Sequence, residues 1–478
     1  MNFITPPFHI IHILKSLRQK DFESYLVGGC VRDILLEKKP KDWDIATNAT
    51  PDQMLKIFPE SFYENKFGTV GIKDRKTKSI VEITTYRTEK NYKDHRHPLT
   101  VKFSKNINED LERRDFTINA MALDPFSKKI IDPFKGQSDL KNQIIRSVKN
   151  PDQRFREDAL RLIRAVRFAN ELNFKIDPPT YASIIKNSGL LQKISKERIK
   201  EEFNKIILSK TPAEGIELLR KTGLLKQIIP ELTNTLGVKQ NLHHQRTVYD
   251  HILHTLRNCK SKKLSVRLAA LFHDIAKPQT KRGHGPKSTF YNHEYASAKM
   301  VRRILKRLRY SEKIIKHTSL LVKNHMFYYE VDKVTPSSVR RLISKVGRKN
   351  IQDLMDLRIA DRLGSDCPKA KPYKLRHLEY LIDKVSKDPV SVKMLAVNGN
   401  LLHQKAGVEK GPKMGAILDV LLSKVLENPK NNNQNFLIRE AKKLNQQNIN
   451  SLRKKALNKI RNIEKEKDLK LKNKHWVK

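Results

Sequence analysis

The first part of the chain alternates short apolar runs with polar turns, whereas the rest repeats apolar residues at helical spacing. Four short apolar runs within residues 1–145 predict strands, and one longer segment predicts a helix. The predicted strands cover residues 24–27, 43–46, 70–72 and 80–86, and the helix covers about 108–122. From Pro151 onward apolar positions recur every three to four residues, as in 155–172, which is typical of amphipathic helices.

This order of elements predicts an α+β protein. A small domain built on one β-sheet comes first, and the regions after it are entirely helical. A length of 478 residues suggests two to four domains rather than a single core. The last part of the chain, rich in Lys and Asn, predicts a basic tail that either contacts RNA phosphates or is simply solvated.

The composition indicates which kind of binding partner and which cellular compartment to expect. Lys and Arg total 97 against 51 Asp and Glu, a formal net charge of +46. Part of this excess reflects a general preference for lysine, and the remainder indicates a polyanion, with nucleic acid favoured over an anionic membrane. Three widely separated cysteines are typical of reduced thiols in a cytoplasmic protein. No apolar run approaches the ~20 residues of a transmembrane helix, so we expect no membrane partner.

A glycine turn stands close to a pair of carboxylates in the segment 28-GGCVRDILLEKKPKDWDIAT-47. Gly28 and Gly29 allow the backbone to pass close to a phosphate, and the next helix offers N–H groups and Arg32 to the same anion. Asp42 and Asp44 are two residues apart, so on a strand they project from one face. Mg²⁺ prefers such oxygen ligands and shares its shell with substrate phosphates. The segment therefore predicts a site for Mg²⁺ and a nucleoside triphosphate.

The same segment resembles motif A of the class II nucleotidyltransferases, a family that contains the CCA-adding tRNA nucleotidyltransferases and bacterial poly(A) polymerases. Further segments resemble the later motifs of that family in the expected order, over about the first 235 residues. They are 113-RRDFTINA-120 for motif B, 132-DPF-134 with Gly136 and 139-DL-140 for motif C, 157-EDALRLIRAVRF-168 for motif D, and residues 196–205 with 223–232 for motif E and the segment next to it.

The resemblance implies a role for each residue that matches these motifs. Asp42 and Asp44 are expected to be catalytic and to bind Mg²⁺. Asp158 and Arg161, one helical turn apart, are expected to read the Watson–Crick edge of cytosine and adenine, because a carboxylate accepts and a guanidinium donates hydrogen bonds. An ordinary salt bridge on a solvated helix is the alternative for that pair. The expected nucleotide-binding set is Gly29, Arg32, Arg114, Asp115, Asn119, Asp158, Arg161, Arg164 and Arg167.

Two segments indicate which member of this family the chain resembles. Residues 66–71, KFGTVG, resemble the CCA-adding enzymes and differ from the arginine-rich segment of the poly(A) polymerases. Residues 86–98, YRTEKNYKDHRHP, resemble the flexible loop of enzymes that add the terminal A, and their polar composition is typical of a mobile loop. Full CCA addition is favoured, and addition of A alone stays open. Glu82 is either a third carboxylate of the site or an ordinary residue of a surface strand.

A second group of chemistry-bearing side chains lies in a histidine-rich region, roughly residues 245–365, which resembles the HD phosphohydrolase superfamily. Mixed nitrogen and oxygen ligands suit Mn²⁺, Ni²⁺, Fe or Zn²⁺, so we expect a transition metal such as Ni²⁺ or Mn²⁺. A degenerate domain kept for packing or RNA contact is the alternative. The expected ligands are His251, His273, Asp274 and Asp361, with His293 and His325 as extensions toward a second metal.

The predicted domains are a nucleotidyltransferase head at 1–145, a helical neck at 146–238, an HD domain at 239–370, a helical region at 371–445 and a basic tail at 446–478. The expected function is template-independent addition of CCA to the 3′ end of tRNA from CTP and ATP, with a metal-dependent phosphohydrolase activity in the HD domain. The alternatives are a poly(A) polymerase, an enzyme that adds A only, and an HD phosphohydrolase whose front half binds RNA.

Overall fold

The computed structural model describes residues 4–65, 68–73, 80–92, 98–240, 246–331, 333–365, 369–386, 392–448 and 450–477. The chain forms two compact units. The first unit contains residues 1–325 and 353–367, and the second contains residues 326–352 and 368–478. None of the helices in the described ranges combines the length and the apolar character that a membrane-crossing segment requires. The division into five domains stays a prediction.

The strands of the described residues all lie in the first 176 positions. Most are short, and the strand over residues 80–85 alternates buried side chains with more exposed ones, as expected for a strand with one buried face. They are β1 (Ser24–Val27), β2 (Asp44–Thr47), β3 (Ser61–Asn65), β4 (Thr69–Lys73), β5 (Ile80–Thr85), β6 (Arg87–Tyr92), β7 (Pro98–Phe103), β8 (Ala122–Leu123), β9 (Ile130–Ile131), β10 (Ile144–Ile145) and β11 (Lys175–Ile176).

Seven of these strands form one mixed sheet in the order β3-β4-β5-β2-β1-β8-β9. Strands β2 and β5 are parallel, and the other neighbours in this sheet are antiparallel. The register of β2 and β5 sets Asp44 opposite Glu82. One face of the sheet buries Val27, Ala46 and Ala122 against Leu111 and Tyr86. The α+β prediction, with a small sheet at the front and helices behind it, is confirmed.

Apart from the two-stranded pairs β6–β7 and β10–β11, the regular structure of the first unit outside this sheet is helical. Pro151, Pro178 and Pro212 open helices at positions where the missing N–H costs nothing. The helices are α1 (Phe8–Arg18), α2 (Gly29–Leu35), α3 (Pro51–Ile57), α4 (Ile107–Glu112), α5 (Gly136–Lys141), α6 (Pro151–Glu157), α7 (Leu160–Leu172), α8 (Pro178–Asn187), α9 (Lys196–Leu208), α10 (Pro212–Lys221), α11 (Leu224–Ile228), α12 (Pro230–Thr233), α13 (Val248–Asn258), α14 (Leu264–Phe272), α15 (Lys277–Thr280), α16 (His293–Arg307) and α17 (Glu312–Asn324).

The second unit is built from helices around an apolar core that includes Leu402, Ile417, Leu421 and Leu437. Helix α19 lies in the first unit from Asp353 onward. The remaining helices are α18 (Pro336–Val346), α19 (Ile351–Gly364), α20 (Tyr373–Ser386), α21 (Gly399–Ala406), α22 (Pro412–Glu427), α23 (Gln434–Asn445) and α24 (Asn450–His475). The segment predicted to be a basic tail is therefore mostly one long helix.

Two predicted helices are interrupted. The helix expected over 108–122 ends at Glu112, because the carboxylate of Asp115 accepts the N–H of Phe116 and turns the chain. The helix expected over 155–172 breaks at Asp158, whose backbone is extended and whose side chain accepts the N–H of Leu160 at 3.0 Å. In both places an aspartate competes with the helix for a backbone donor.

The polar segment predicted to be a mobile loop is an antiparallel ribbon over the part that the structure describes. Strand β6 pairs with β7, with Arg87 opposite Phe103 and Glu89 opposite Val101. Residues 93–97 of that segment lie outside the described residues, as do Lys66 and Phe67 of the KFGTVG segment. The prediction of a loop is wrong for the flanks, where alternating hydrogen bonds between two strands replace it.

Candidate active sites

A cavity of about 460 Å³ opens in the first unit where the edge of the sheet meets α7. All eleven head and neck residues proposed from the sequence as catalytic or nucleotide-binding line this cavity, together with Gly28, Arg113 and Phe168. Its lining is mostly charged, with arginines facing a few carboxylates. The lining residues are Gly28, Gly29, Arg32, Asp42, Asp44, Arg113, Arg114, Asp115, Asn119, Asp158, Arg161, Arg164, Arg167 and Phe168.

Gly28 makes room for two charged side chains at the floor of the cavity. Its φ of +72° lies in the left-handed region that favours glycine. A Cβ at this position would lie 2.8 Å from a guanidinium nitrogen of Arg114 and 3.4 Å from a carboxylate oxygen of Asp44. The glycine therefore allows Arg114 to approach the backbone and the carboxylate beside it.

The two carboxylates do not share a strand. Asp44 is the first residue of β2, and Asp42 precedes the strand, so the argument that both project from one strand face is wrong. Both nevertheless line the cavity. Burial raises the pKa of Asp44, Arg114 opposes that change, and the neighbouring charge of Asp42 adds to it. Carboxylates that repel each other in a partly buried cavity suit a hard divalent cation, and an oxygen-only donor set fits Mg²⁺.

Ion pairs with buried carboxylates fix Arg164 and Arg167 of α7. Arg164 contacts the carboxylate of Asp115 at 2.6 Å, and Arg167 contacts that of Glu202, on α9, at 2.6 Å. Burial favours the neutral form of Asp115, but Arg164 and a hydrogen bond from Asn119 outweigh it and lower the pKa to about 2. Each arginine is thus held by a carboxylate from a different segment of the chain.

The ring of Phe168 lies among three guanidinium groups. The guanidinium carbons of Arg167, Arg32 and Arg164 lie 3.6, 5.1 and 5.2 Å from its centre. The negative face of an aromatic ring attracts cations, so Phe168 helps to keep like charges close together. A cluster of this kind suits an anion with several charged oxygens, such as a triphosphate.

Asp158 and Arg161 do not pair with each other as their spacing in the sequence suggested. Asp158 is paired with Arg198, on α9, at 2.9 Å. Arg161 donates to the carboxylate of Glu157 at 3.0 Å and to the backbone carbonyls of Arg154 and Arg113 at 3.1 and 2.7 Å. The helix break at Asp158 explains the difference, because the two side chains no longer lie on one helical face. Both still line the same cavity.

A second site lies among α13, α14 and α19 of the first unit, and all of its members are buried. His251 is on α13, Asp361 is on α19, and His273 and Asp274 directly follow the end of α14. Its four ligand atoms converge. His251 Nε2 lies 3.0 Å from His273 Nε2, 3.1 Å from Asp361 Oδ1 and 3.4 Å from Asp274 Oδ2.

These spacings match the edges of a metal coordination sphere. Ligand atoms ~2.1 Å from one ion lie ~3.0 Å apart in an octahedron and ~3.4 Å apart in a tetrahedron. Burial disfavours a charged imidazole at His273, but Asp274 and Asp361 outweigh it and raise its pKa to about 10. Imidazole nitrogens and carboxylate oxygens together form a mixed donor set that fits a divalent transition metal.

Three family profiles match the chain. The Poly A polymerase head domain matches residues 24–146, the profile described as a probable RNA and SrmB binding site of polymerase A matches 173–236, and the HD domain matches 242–366. The CCA-adding enzyme of Ligilactobacillus salivarius is 48% identical over 215 residues, which are 45% of this chain and 52% of that protein. The CCA-adding enzyme of Geobacillus thermodenitrificans is 45% identical over 221 residues, 46% and 54% of the two chains.

The chain thus spans about half the length of the curated relatives it matches. The structural match is longer. The CCA-adding enzyme of Bacillus stearothermophilus, solved in complex with CTP, has a TM-score of 0.59 at 28% identity and covers 92% of this chain and 98% of its own. The chain thus contains a Poly A polymerase head domain and an HD domain, and it is similar to CCA-adding enzymes. The Thermotoga maritima CCA-adding enzyme, complexed with tRNA, shares the fold at a TM-score of 0.52 and 20% identity, covering 91% and 96%.

Sequence reasoning missed several residues of the two sites. Glu202 and Arg198 are four residues apart on α9 and so lie on one face, which the sequence could have indicated within the motif E segment. Lys277 stands three residues after Asp274 and contacts its Oδ2 at 2.7 Å. Phe168 ends motif D and gave no signal of its own, because an aromatic residue on an amphipathic helix is usually a core residue.

Glu202→Ala is expected to lower the free energy of unfolding of the first unit by about 3 kcal/mol, because it leaves the buried Arg167 guanidinium without one of its carboxylates. The measurement is urea unfolding. Glu201→Ala, an exposed neighbour on the same helix, is the matched control and should change the value by less than about 0.5 kcal/mol. Equal effects of the two substitutions would mean that the ion pair does not stabilise α7.

Proposed function

We propose that this protein adds C, C and A in turn to the 3′ end of tRNA, from CTP and ATP and without a nucleic-acid template. The observation that carries the proposal is the cavity that brings the carboxylates Asp42 and Asp44 together with an arginine cluster and with Asp158 and Arg161. A carboxylate pair, a phosphate-binding cluster and a base-reading pair are the parts that nucleotide addition requires.

The relatives support this choice of substrates. The matched proteins are named CCA-adding enzymes, and the structures similar to this chain include one with CTP and one with tRNA. A formal net charge of +46 suits a polyanion such as tRNA, because phosphate contacts dominate the affinity of proteins for nucleic acids. The cytoplasm as the location stays a prediction from the sparse cysteines.

The reaction is an in-line displacement at the α-phosphorus of the nucleotide. The 3′ hydroxyl oxygen of tRNA forms the new bond to phosphorus, its proton is released, and the bond from the α-phosphorus to the bridging oxygen breaks, so that pyrophosphate leaves. Asp42 and Asp44 would hold Mg²⁺, which when bound neutralises charge on the phosphates. Arg32, Arg114 and Arg164 would bind and orient the triphosphate, with Gly29, Asn119 and Arg167 completing the contacts and Asp115 holding Arg164.

Base selection is explained by hydrogen-bond complementarity. Cytosine and adenine each present an amino donor beside a ring nitrogen that accepts, whereas uracil and guanine present the reverse order. A carboxylate at Asp158 accepts from the amino group, and Arg161 donates to the ring nitrogen. Three of the five N–H groups of a guanidinium are engaged by protein acceptors at Arg161, which fixes its plane and leaves donors for a base.

Two related activities remain as alternatives. A poly(A) polymerase would use the same chemistry, but the GTVG part of the KFGTVG segment and the names of the relatives favour CCA addition. An enzyme that adds A alone would need tRNA that already ends in CC. The length of the product distinguishes the three.

We further propose a metal-dependent phosphohydrolase activity at the histidine-rich site. The supporting observation is the convergence of four buried ligand atoms of His251, His273, Asp274 and Asp361 at spacings of a coordination sphere. These four residues would hold Ni²⁺ or Mn²⁺, which would supply polarisation of a phosphate ester and activation of water. Phosphates at RNA ends, either 2′,3′-cyclic or 2′-phosphates, are the expected substrates because the same chain processes tRNA ends.

Purified protein incubated with tRNA lacking CCA, with CTP and ATP, should extend it by three nucleotides and stop. Parallel reactions with tRNA ending in C or CC show which steps the protein performs, and gel electrophoresis measures product length. Asp42→Ala and Asp44→Ala should each abolish extension while tRNA binding stays nearly intact. A long adenylate ladder from ATP alone would instead support the poly(A) alternative, and extension only of tRNA ending in CC would support addition of A alone.

Asp158→Ala should raise the incorporation of UTP and GTP relative to CTP and ATP, because the acceptor for the amino group is lost. Single-turnover rates with each of the four nucleotides measure the ratio. Asp152→Ala, which removes an aspartate of α6 outside the cavity, serves as the control and should leave selectivity unchanged. If Asp158→Ala lowered the rates with all four nucleotides equally, Asp158 would be only a structural partner of Arg198.

Wild-type protein supplied with Ni²⁺ or Mn²⁺ should hydrolyse a 2′,3′-cyclic nucleotide. His273→Ala and Asp274→Ala should both end hydrolysis and leave CCA addition largely unchanged, because their side chains do not line the nucleotide cavity. His254→Ala, on the same helix as His251 but outside the ligand set, should behave as wild type. Absence of any hydrolysis of cyclic or 2′-phosphates would favour a degenerate domain.

A further inference from the structure

A polar cluster in the first unit lies outside both sites and joins the early turns of α14, α17 and α19. Ser265, on α14, has its Oγ 2.8 Å from Nδ1 of His317, on α17. His317 Nε2 lies 3.3 Å from Oδ2 of Asp353, on α19. Lys263, directly before α14, has its Nζ 2.8 and 3.0 Å from the two carboxylate oxygens of Asp353. Ser265 and Asp353 are buried, so these four residues form one polar cluster within apolar surroundings.

The contacts give each group of the polar cluster a defined role. Burial lowers the pKa of His317, Asp353 opposes that change and Lys263 adds to it, so the ring is neutral near pH 7. A carboxylate can only accept, so the hydrogen of the ring is on Nε2, and Nδ1 accepts from the hydroxyl group of Ser265. Each helix therefore contributes a different group, and the three groups match only when the helices are correctly aligned.

Each of the three helices reaches the histidine-rich site eight residues after its member of the polar cluster. Eight residues of α-helix rise by ~12 Å, and positions i and i+8 belong to one broad face. His273 and His325 keep helical backbone angles, with φ of −56° and −67°, so the rise continues through both. The three pairs at this separation are Ser265 and His273, His317 and His325, and Asp353 and Asp361.

The contacts between the helices recur at the second level. The contact of α14 with α17 in the polar cluster is repeated by His273 and His325, whose ring centres are 5.2 Å apart. The contact of the start of α14 with α19 is repeated by His273 Nε2 and Asp361 Oδ1, which are 3.6 Å apart. The three helices thus run in the same direction, and one axial register determines the contacts at both levels.

Polar contacts define this register more sharply than apolar packing does. If α19 moved along its axis by a fraction of a turn, Leu354 and Leu357 could remain buried, because apolar contacts have no direction. The same movement would separate the buried carboxylate of Asp353 from Lys263 and leave it uncompensated, which is costly. Fixing a register is the best-attested role of buried polar groups. The polar cluster is therefore suited to aligning the three helices.

We propose that the polar cluster positions the ligands of the histidine-rich site. By fixing the axial register of α14, α17 and α19, it keeps His273 and Asp361 at the separation that a shared metal ion requires. Sites of this kind function only when their groups are held within ~0.5 Å of the productive geometry. The four residues of the cluster are positioning residues, because they lie ~12 Å from the ligands along the helices. The inference rests on the proposed metal site.

Binding of Co²⁺ tests the proposal without reference to activity. The full chain carrying Asp42→Ala and Asp44→Ala, which removes the head carboxylates as cation ligands, is stripped with a chelator and titrated with Co²⁺ while visible absorption is recorded. Asp353→Asn or Lys263→Ala in this background should each weaken binding about tenfold, the lower end of the effect seen for residues that orient metal ligands. The absorption spectrum should change as well, because displaced ligands alter the coordination geometry.

Two serines provide a matched comparison in which unfolding is not a concern. Ser265→Ala removes the hydroxyl group of the polar cluster and should weaken Co²⁺ binding and alter the spectrum. Ser319→Ala makes the same change at a buried serine of α17 whose hydroxyl has no hydrogen bond among the described residues, and it should alter neither. Circular dichroism should show each variant folded at the temperature of the titration, well below its thermal midpoint.

The outcomes separate this inference from the proposed metal site. If the variants of the polar cluster lowered the thermal midpoint but left the affinity for Co²⁺ and the spectrum unchanged, the cluster would only stabilise the fold, and the inference would be overturned while the metal site stood. If the protein with an intact cluster bound no Co²⁺, both would be overturned. Lys263→Ala decides the matter if Asp353→Asn does not fold, because the side chain of Lys263 is 63% exposed.

Discussion

The cavity of the first unit depends on ion pairs between three separate segments of the chain. Helix α7 supplies Arg164 and Arg167, the head supplies Asp115, and α9 supplies Glu202. The two arginines lie on one side of the helix and would repel each other without these partners. A buried ion pair adds little net stability, but breaking one leaves an uncompensated charge, so such pairs fix orientation more than they strengthen the fold. The sheet, α7 and α9 are therefore held in the relative positions that place the cavity lining around one space.

The two sites of the first unit have opposite electrostatic requirements. The cavity has more arginines than carboxylates, so an anionic substrate completes its charge balance. The histidine-rich site gathers carboxylates and the lone pairs of imidazoles, so cations complete its balance. The same physical rule applies to both sites. Groups of like charge or like polarity that are held close together in a partly buried place require a counter-charge from outside the chain. This requirement is a physical reason to expect ligands at both places.

The sequence was informative where spacing along the chain determines geometry. The glycine pair, Asp42 and Asp44 pointed to the cavity, and the apolar periods predicted the front sheet and the helices behind it, a fold class that is confirmed. The roles assigned to individual residues stay predictions. The apolar periodicity did not predict the helix break at Asp158. A side chain that accepts a backbone N–H ends a helix without changing the apolar pattern of the sequence. The periodicity also gave neither the contact of Arg161 with the Arg113 carbonyl nor the ion pair of Arg167 with Glu202, since these join segments about 35–50 residues apart, and spacing within one helix carries no information on them.

The anchoring of Arg161 would have a kinetic consequence if this residue reads the base as proposed. Two backbone carbonyls and Glu157 already hold its guanidinium, so nucleotide binding would immobilise few additional bonds and lose little side-chain entropy. All four nucleotides would then meet the same fixed donors and acceptors and enter at similar rates. The correct and the incorrect base would differ in how long they stay, because only the correct one satisfies those groups.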